Sequence, residues 1–153
     1  MKLVDFVHED LVLADLVATE KGAVIDEIAA CIAAHVPSLD AAAVARILKD
    51  REQLASTAVG DGVAIPHGKL EAAGALQGCV ARSVAGVDFA SHDGKPTHLF
   101  VVLVAPENST GVHLKALARI RRLFKDADVR ARLMAAPDAP AMYAALIEED
   151  AKA

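Results

Sequence analysis

The stretch "HLFVVLVAP" (98–106) is a near-continuous apolar run that ends at a proline. A run of this kind is typical of a central strand that is covered on both faces of a sheet. Further strands are indicated by "LVLADL" (11–16), "VAIP" (63–66) and "LQGCVARSV" (76–84). The central run therefore predicts a sheet that lies between layers of other structure.

Apolar residues recur at helical spacing in the segments between and after these strands. The predicted helices run from Thr19 to a stop at Pro37, from an N-cap at Asp40 to about 51–54, from "ENST" (107–110) through Phe124, and over about 126–135 and 138–149. Strands mixed with helical pairs predict an α/β domain whose sheet has helices on both faces.

The helix after "ENST" has an apolar and a charged face. Its inner stripe is His113, Ala116, Leu117, Ile120, Leu123 and Phe124, whereas Lys115, Arg119, Arg122 and Lys125 are predicted to face outward. If Thr110 caps this helix, His113 is the third residue of the first turn. The positive helix end disfavours an imidazolium there, and a neutral ring could donate a hydrogen bond to an anion. A satisfied, half-buried core histidine fits the same pattern equally well.

Composition narrows the classes of function. The 153 residues are about one domain, 1–153. A net charge of −5 and an aromatic content of 3% argue against a nucleic-acid partner. No apolar stretch suffices for membrane insertion, and the acidic N-terminus is unlike a signal peptide. Cys31 and Cys79 are far apart in sequence, and we predict both to be buried free thiols of a cytoplasmic protein.

His67 stands between a proline and a glycine at the end of the "VAIP" segment. Pro66 has a fixed φ, and Gly68 lets another backbone approach closely, so the imidazole lies on a loop of limited freedom. From this tripeptide alone, an ordinary loop histidine is the favoured interpretation. Ordinary structural interpretations also fit His8, His35, His92 and His98.

Metal and nucleotide chemistry are not indicated. His67 and His113 could be two zinc ligands, but no clustered Cys or His supplies a third or fourth. The chain has no Walker loop and no G-x-G-x-x-G motif, so we expect no cofactor. A Ser-His-Asp triad is compatible with the composition, but its G-x-S-x-G elbow is absent.

The longer stretch "REQLASTAVGDGVAIPHGKL" (51–70) resembles the signature of phosphotransferase-system IIA components of the fructose/mannitol type (EIIA type 2). The matching positions are Glu52, Val59-Gly60 and the apolar-Ala-apolar-Pro-His-small run at 63–68. "LFVVLVAPENSTGVHLKALARI" (99–120) is similar to the second block of the family, an apolar strand followed by a histidine at a helix start. The resemblance implies a single-domain, three-layer α/β/α sandwich around a small mixed β-sheet.

The resemblance also implies roles for individual residues. His67 would accept a phosphoryl group from a phosphorylated carrier, HPr or an NPr-like relative, while His113 and Arg51 would help to hold that group. The implied site loop comprises Ser56, Thr57, Pro66 and Gly68. Elementary chemistry agrees, because a neutral imidazole has a nucleophilic nitrogen and phosphoryl transfer depends mainly on positioning and charge stabilisation. Such a scheme needs no metal or nucleotide.

Three functions remain open at this point. "PHGKLE" (66–71) resembles the nitrogen-related branch, in which a lone IIA protein reports nitrogen, carbon or potassium status to downstream regulatory proteins. A sugar-specific IIA would instead pass the phosphoryl group to an EIIB partner. A non-catalytic interaction module of the same fold would have been favoured by loss of Arg51, His67 or His113, and all three are present.

Overall fold

The central apolar run forms the strand around which the sheet is built. A computed structural model describes residues 1–153. Its strands are β1 (Val7–Leu13), β2 (Ala58–Gly60), β3 (Val63–Ala64), β4 (His67–Lys69), β5 (Gln77–Val87) and β6 (Thr97–Ala105). Their order is β1-β5-β6-β3-β2, and β4 also pairs with β6.

The sheet is mixed, as the family resemblance implies. β6 is antiparallel to β5 on one edge and parallel to β3 and then β4 on the other. β1 is parallel to β5. Ile65 and Pro66 separate β3 from β4, so the chain leaves the ladder briefly and rejoins it with His67 opposite Leu103. The functional histidine candidate therefore begins a strand on the central ladder.

Five helices cover the two faces of this sheet. They are α1 (Lys21–His35), α2 (Ala41–Leu54), α3 (Thr110–Phe124), α4 (Ala127–Ala135) and α5 (Ala139–Lys152). Asp40 caps α2 as predicted, with its carboxylate accepting a hydrogen bond from the Ala43 N–H at 3.1 Å. Asp126 and Asp138 cap α4 and α5 in the same way.

Successive side chains of β6 point to opposite faces of the sheet, and they belong to two separate cores. Leu99, Val101 and Leu103 belong to the core under α3, α4 and α5. Phe100, Val102 and Val104 belong to the core under α1 and α2. Each of these side chains is fully or almost fully buried, which stabilises the fold by roughly 1.5–3 kcal/mol per residue. The predicted three-layer α/β/α sandwich is confirmed.

Two details of α3 differ from the sequence prediction. The cap position is Ser109 rather than Thr110, and Thr110 is the first helical residue, because the Ser109 carbonyl accepts the His113 N–H at 2.8 Å. Arg119 does not face solvent: its Nε donates to Asp150 Oδ1 of α5 at 2.6 Å. The outward prediction was wrong for Arg119 because a buried carboxylate on another helix takes the place of water.

The prediction of two buried free thiols is confirmed for Cys79 but not for the burial of Cys31. Both thiols are free, but only Cys79 is buried, whereas Cys31 is partly exposed at the surface of α1. Helical spacing predicts that Cys31 belongs to the inner stripe of α1. In the structure Cys31 lies at the edge of that stripe, so its side chain is partly exposed. No helix in the structure combines the length and the apolar character needed to cross a membrane.

Candidate functional site

His67 has a defined ring orientation at the start of β4. Its Nδ1 hydrogen-bonds to the Ile65 carbonyl oxygen at 2.8 Å. Because a carbonyl oxygen only accepts, Nδ1 carries the proton of the neutral ring. Nε2 has no hydrogen-bond partner within the protein. The backbone turn through Pro66 therefore fixes one tautomer and leaves the Nε2 lone pair free.

The second histidine lies edge-on to the first. The ring centroids of His67 and His113 are 5.4 Å apart and the ring planes are inclined by 76°. His113 is 6% exposed, and its Nε2 is buried without any hydrogen-bond partner. Buried polar atoms are seldom unpaired, and of the three side-chain atoms in this state, which include Ser91 Oγ and Thr97 Oγ1, only this nitrogen belongs to a ring that lies against His67. The alternative of a satisfied core histidine does not describe it.

Both imidazoles are held in the neutral form. Burial lowers the pKa of His67, and the positive charges of Arg51 and Arg121 lower it further, against the opposing effect of the hydrogen bond to Ile65. Burial also lowers the pKa of His113, as do the positive charge of Lys69 and the charge that His67 would carry if protonated. A neutral His67 is a nucleophile at neutral pH, and a neutral His113 still offers one N–H.

Cationic side chains surround the histidine pair. Arg51, at the end of α2, donates from Nη1 to the Ala55 carbonyl at 2.9 Å. Lys69 lies two residues after His67 on the same face of β4, and its Nζ donates to Thr110 Oγ1 at 2.8 Å. A cleft of about 620 Å³ is lined by Arg51, His67, Gly68, Lys69, Thr110 and His113, among others. A cluster of cations in an acidic chain favours an anionic ligand.

Gly68 allows α2 to approach the strand. A Cβ at this position would lie 3.0 Å from Ile47 Cδ1 and 3.3 Å from Ile47 Cγ1. The close neighbour is thus a side chain of α2, not the backbone that the sequence analysis expected. The packing brings the C-terminal turn of α2, with Arg51, to the edge of the histidine cleft.

The structure does not bring Ser56 and Thr57 into the cleft. Ser56 Oγ donates to the Phe89 carbonyl at 2.7 Å. The Thr57 hydroxyl and N–H both donate to the buried Glu52 carboxylate, which also pairs with Lys21 at 2.9 Å. These hydroxyls are turned away because the loop after α2 uses them to satisfy its own buried polar groups. They shape the loop and do not line the site.

Two cations near the site were missed by the sequence analysis. Lys69 could have been found from strand alternation, but the short β4 is flanked by Pro66 and carries Gly68, so no strand was predicted there. Arg121 follows His113 by two helical turns, and its charge acts on His67. Arg121 also lines a larger cavity of about 870 Å³ that shares Leu114 and Leu117 with the cleft. No group of three metal-ligating side chains is present.

Comparison with known proteins identifies the family of this chain. The family model described as "Phosphoenolpyruvate-dependent sugar phosphotransferase system, EIIA 2" matches residues 5–149. A nitrogen regulatory protein of Bradyrhizobium diazoefficiens is 43% identical over 146 residues, covering 95% of each chain. A fructose-specific EIIABC component of Bacillus subtilis is 31% identical over 152 residues, which are 98% of this chain and 24% of that protein.

Among solved structures, the nitrogen regulatory protein IIA-Ntr of Neisseria meningitidis superimposes with a TM-score of 0.88 at 32% identity. The match covers 94% of this chain and 98% of that one. The likeness thus extends over nearly the whole chain.

Proposed function

The chain belongs to the EIIA type 2 family of the phosphoenolpyruvate-dependent sugar phosphotransferase system, and on that basis we propose that it is a cytoplasmic phosphoryl carrier. Residues 1–153 form one such domain. His67 accepts a phosphoryl group from the phosphohistidine of an HPr-like or NPr-like carrier protein. The observation that carries this proposal is the free Nε2 of His67, on a ring whose centroid lies 5.4 Å from that of His113, whose own Nε2 is buried and unpartnered.

The tautomer of His67 supports Nε2 as the attacking atom. Nε2 forms the new N–P bond while the N–P bond of the donor breaks and its electron pair returns to the donor imidazole. Nδ1–H stays on the Ile65 carbonyl, and that hydrogen bond favours the positive charge that the ring gains. The proposed nucleophile is therefore Nε2.

The surrounding groups stabilise the charge of the transferring phosphoryl group. Neutral His113 donates through Nε2–H, which satisfies its orphaned nitrogen only when the anion is present. Arg51 offers a planar fork and Lys69 a point charge. The Thr110 end of α3 adds the field of a helix N-terminus. Phosphoryl transfer through a loose transition state depends mainly on such positioning and charge stabilisation.

The surroundings of the cleft suit a protein donor. Leu54 is 81% exposed, Leu114 is 62% exposed and Val112 is 43% exposed, and Leu54 and Leu114 line the cleft itself. Exposed apolar side chains around a reactive histidine favour burial against a partner surface. The neighbouring cavity, which Arg121 lines, shares Leu114 and Leu117 with the cleft and so extends the same face.

We propose further that the phosphorylation state of His67 is a regulatory signal for downstream proteins, in response to nitrogen, carbon or potassium status. Support comes from the "PHGKLE" segment and from the nitrogen regulatory protein that matches this chain over 95% of both lengths. The second candidate is a sugar-specific EIIA that passes phosphate to an EIIB, favoured by the match to the fructose-specific component. Rapid transfer from His67 to an EIIB from the same genome would favour the second candidate.

The decisive experiment incubates the protein with a phosphorylated HPr-type carrier. We expect a phosphohistidine that is labile in acid and stable in alkali, and loss of it in His67→Ala. His8→Ala is the matched control, because His8 is exposed and remote from the cleft lining. No labelling of the wild type, or equal labelling of His67→Ala, contradicts the proposal and favours a non-catalytic interaction module.

A further inference from the structure

The two cysteines meet on the sheet face opposite α3. Cys79, in β5, belongs to the core under α1 and α2, and Cys31, in α1, packs against the same core. Cys31 Sγ lies 3.8 Å from the Asp10 carbonyl oxygen in β1. Residues 8–11 of β1 bulge opposite Cys79, because Val7 pairs with Gly78 and Val12 with Val80. Asp10 therefore contacts the Cys31 thiol and lies in the bulge opposite Cys79, which places both cysteines at this part of β1.

The two thiols differ in access and in charge. Cys31 is partly exposed, whereas Cys79 is fully buried. A hydrogen bond with the Cys79 thiol, helped by the nearby His35, lowers the pKa of Cys31 to about 6. The same hydrogen bond and burial raise the pKa of Cys79. These shifts favour the thiolate form at Cys31 and the protonated form at Cys79.

We propose that Cys31 and Cys79 are a peroxide-reactive pair, in which Cys31 is oxidised first and Cys79 closes an intramolecular disulfide. The proposal rests on the convergence of the two side chains at the β1 bulge and on the partial exposure of Cys31. It is independent of phosphoryl transfer, because neither thiol lines the cleft of His67.

The chemistry balances with hydrogen peroxide as the oxidant. The Cys31 thiolate attacks one peroxide oxygen, the O–O bond breaks, and hydroxide leaves, which gives the sulfenic acid of Cys31. The Cys79 sulfur then attacks the Cys31 sulfur, the S–O bond breaks, and the Cys79 proton leaves with the hydroxyl group as water. Overall, two thiols and one peroxide give one disulfide and two waters.

The test uses the full chain, reduced and then freed of reductant, with hydrogen peroxide as the probe. After treatment, the protein is denatured and alkylated, and its mass and tryptic peptides are measured. We expect loss of alkylation at both cysteines, a mass lower by two hydrogen atoms, and a cross-link between peptides 22–46 and 70–82 of one chain. We expect Cys79→Ser, which keeps a hydrogen-bond donor beside Cys31 but cannot form a disulfide, to accumulate the Cys31 sulfenic acid, which dimedone traps.

Because Cys31 is proposed to be oxidised before Cys79, the Cys31→Ser variant is the control. In Cys31→Ser, the buried Cys79 should stay reduced and be alkylated fully after denaturation. Circular dichroism confirms that each variant is folded before peroxide is added. Full alkylation of the wild type under conditions that oxidise glutathione, a cross-link between two chains, or equal oxidation of Cys79 in Cys31→Ser overturns the proposal.

Discussion

The ring of His113 lies 5.4 Å from the ring of His67, with its Nε2 buried and unpartnered. A buried donor or acceptor without a partner costs about 1–3 kcal/mol. The unpaired Nε2 of His113 therefore lowers the stability of the fold, and it does so next to the ring of His67. In the proposed function, a phosphoryl group on His67 is the partner that relieves this cost.

Replacement of His113 by alanine should slow phosphorylation of His67 without moving the label. We expect a rate about 10²–10³-fold lower, as when one donor to a developing anion is removed. Stability should change little, because the substitution removes the unpaired atom itself. Single-turnover labelling and urea unfolding measure the two effects. A large loss of stability with an unchanged rate would assign His113 to structure alone.

The rate of phosphorylation should fall at acidic pH. Burial and the charges of Arg51 and Arg121 lower the pKa of His67 below 6.5, so the ring stays neutral until the pH drops below that value. The acid limb of the rate should therefore have its midpoint below 6.5. The folded state takes up the proton less readily than the unfolded chain does, so His67 also makes folding less stable at acidic pH.

Arg51→Ala tests the electrostatic part of this shift. Removing the cation should raise the pKa of His67 and move the acid limb upward, in addition to lowering the plateau rate. NMR titration of the His67 ring protons measures the pKa directly. Arg46→Ala is the control, because Arg46 lies exposed on the same helix. Equal shifts in both variants would mean that overall charge, not position, causes the effect.

Lys69 should contribute to binding the phosphoryl group. Lys69→Met removes a cation that shares the strand face with His67, and we expect transfer to slow about tenfold, equivalent to about 1.4 kcal/mol. Lys69→Arg should retain part of the rate because the charge remains. Lys95→Met, in an exposed turn, is the control. If Lys69→Met transfers as fast as the wild type, the lysine serves only to tether Thr110.

Much of this fold was predictable because its signals are local. The apolar run of β6 predicts burial on both faces, and helical spacing predicts all five helices. Pro66 and Gly68 also act locally. Pro66 lies in the turn that brings His67 Nδ1 to the Ile65 carbonyl, and Gly68 has no Cβ to crowd Ile47. The assignment of His67 needed more than this tripeptide, and it came from the longer resemblance.

What could not be predicted depends on residues distant in sequence. Arg119 appears solvent-facing on a helical wheel until α5 places Asp150 beside it. Thr57 resembles a site hydroxyl until the buried Glu52 is seen to accept from it. Cys31 and Cys79 share one core only because α1 packs on the face of the sheet to which Cys79 contributes. None of these contacts has a signature in the spacing of apolar residues.

Glu52 should stabilise the loop that follows α2. Its carboxylate is almost fully buried and accepts from Thr57 while pairing with Lys21, so Glu52→Gln removes a charge-assisted contact. We expect the free energy of unfolding to fall by about 1–3 kcal/mol. Glu148→Gln breaks an exposed pair with Arg132 and should cost less than about 0.5 kcal/mol. Urea unfolding of both variants measures the two losses of unfolding free energy. Equal losses would contradict a buried structural role for Glu52.

Gly68 should be required for the packing of α2 against β4, and a double-mutant cycle isolates that contact. Its φ is not in the left-handed region, so Gly68→Ala adds no backbone strain and acts only through its Cβ, 3.0 Å from Ile47 Cδ1. We expect about 1–2 kcal/mol of destabilisation and a slower transfer rate, because α2 carries Arg51.

Ile47→Val removes the Cδ1 atom that the new methyl group would meet. In that background, Gly68→Ala should cost much less, and the transfer rate should recover toward that of Ile47→Val alone. Gly22→Ala is the matched glycine control, because its added Cβ meets nothing within 4 Å on α1 and should stabilise the helix. Additive effects of Gly68→Ala and Ile47→Val in the unfolding free energy would show that the contact with Ile47 does not require this glycine.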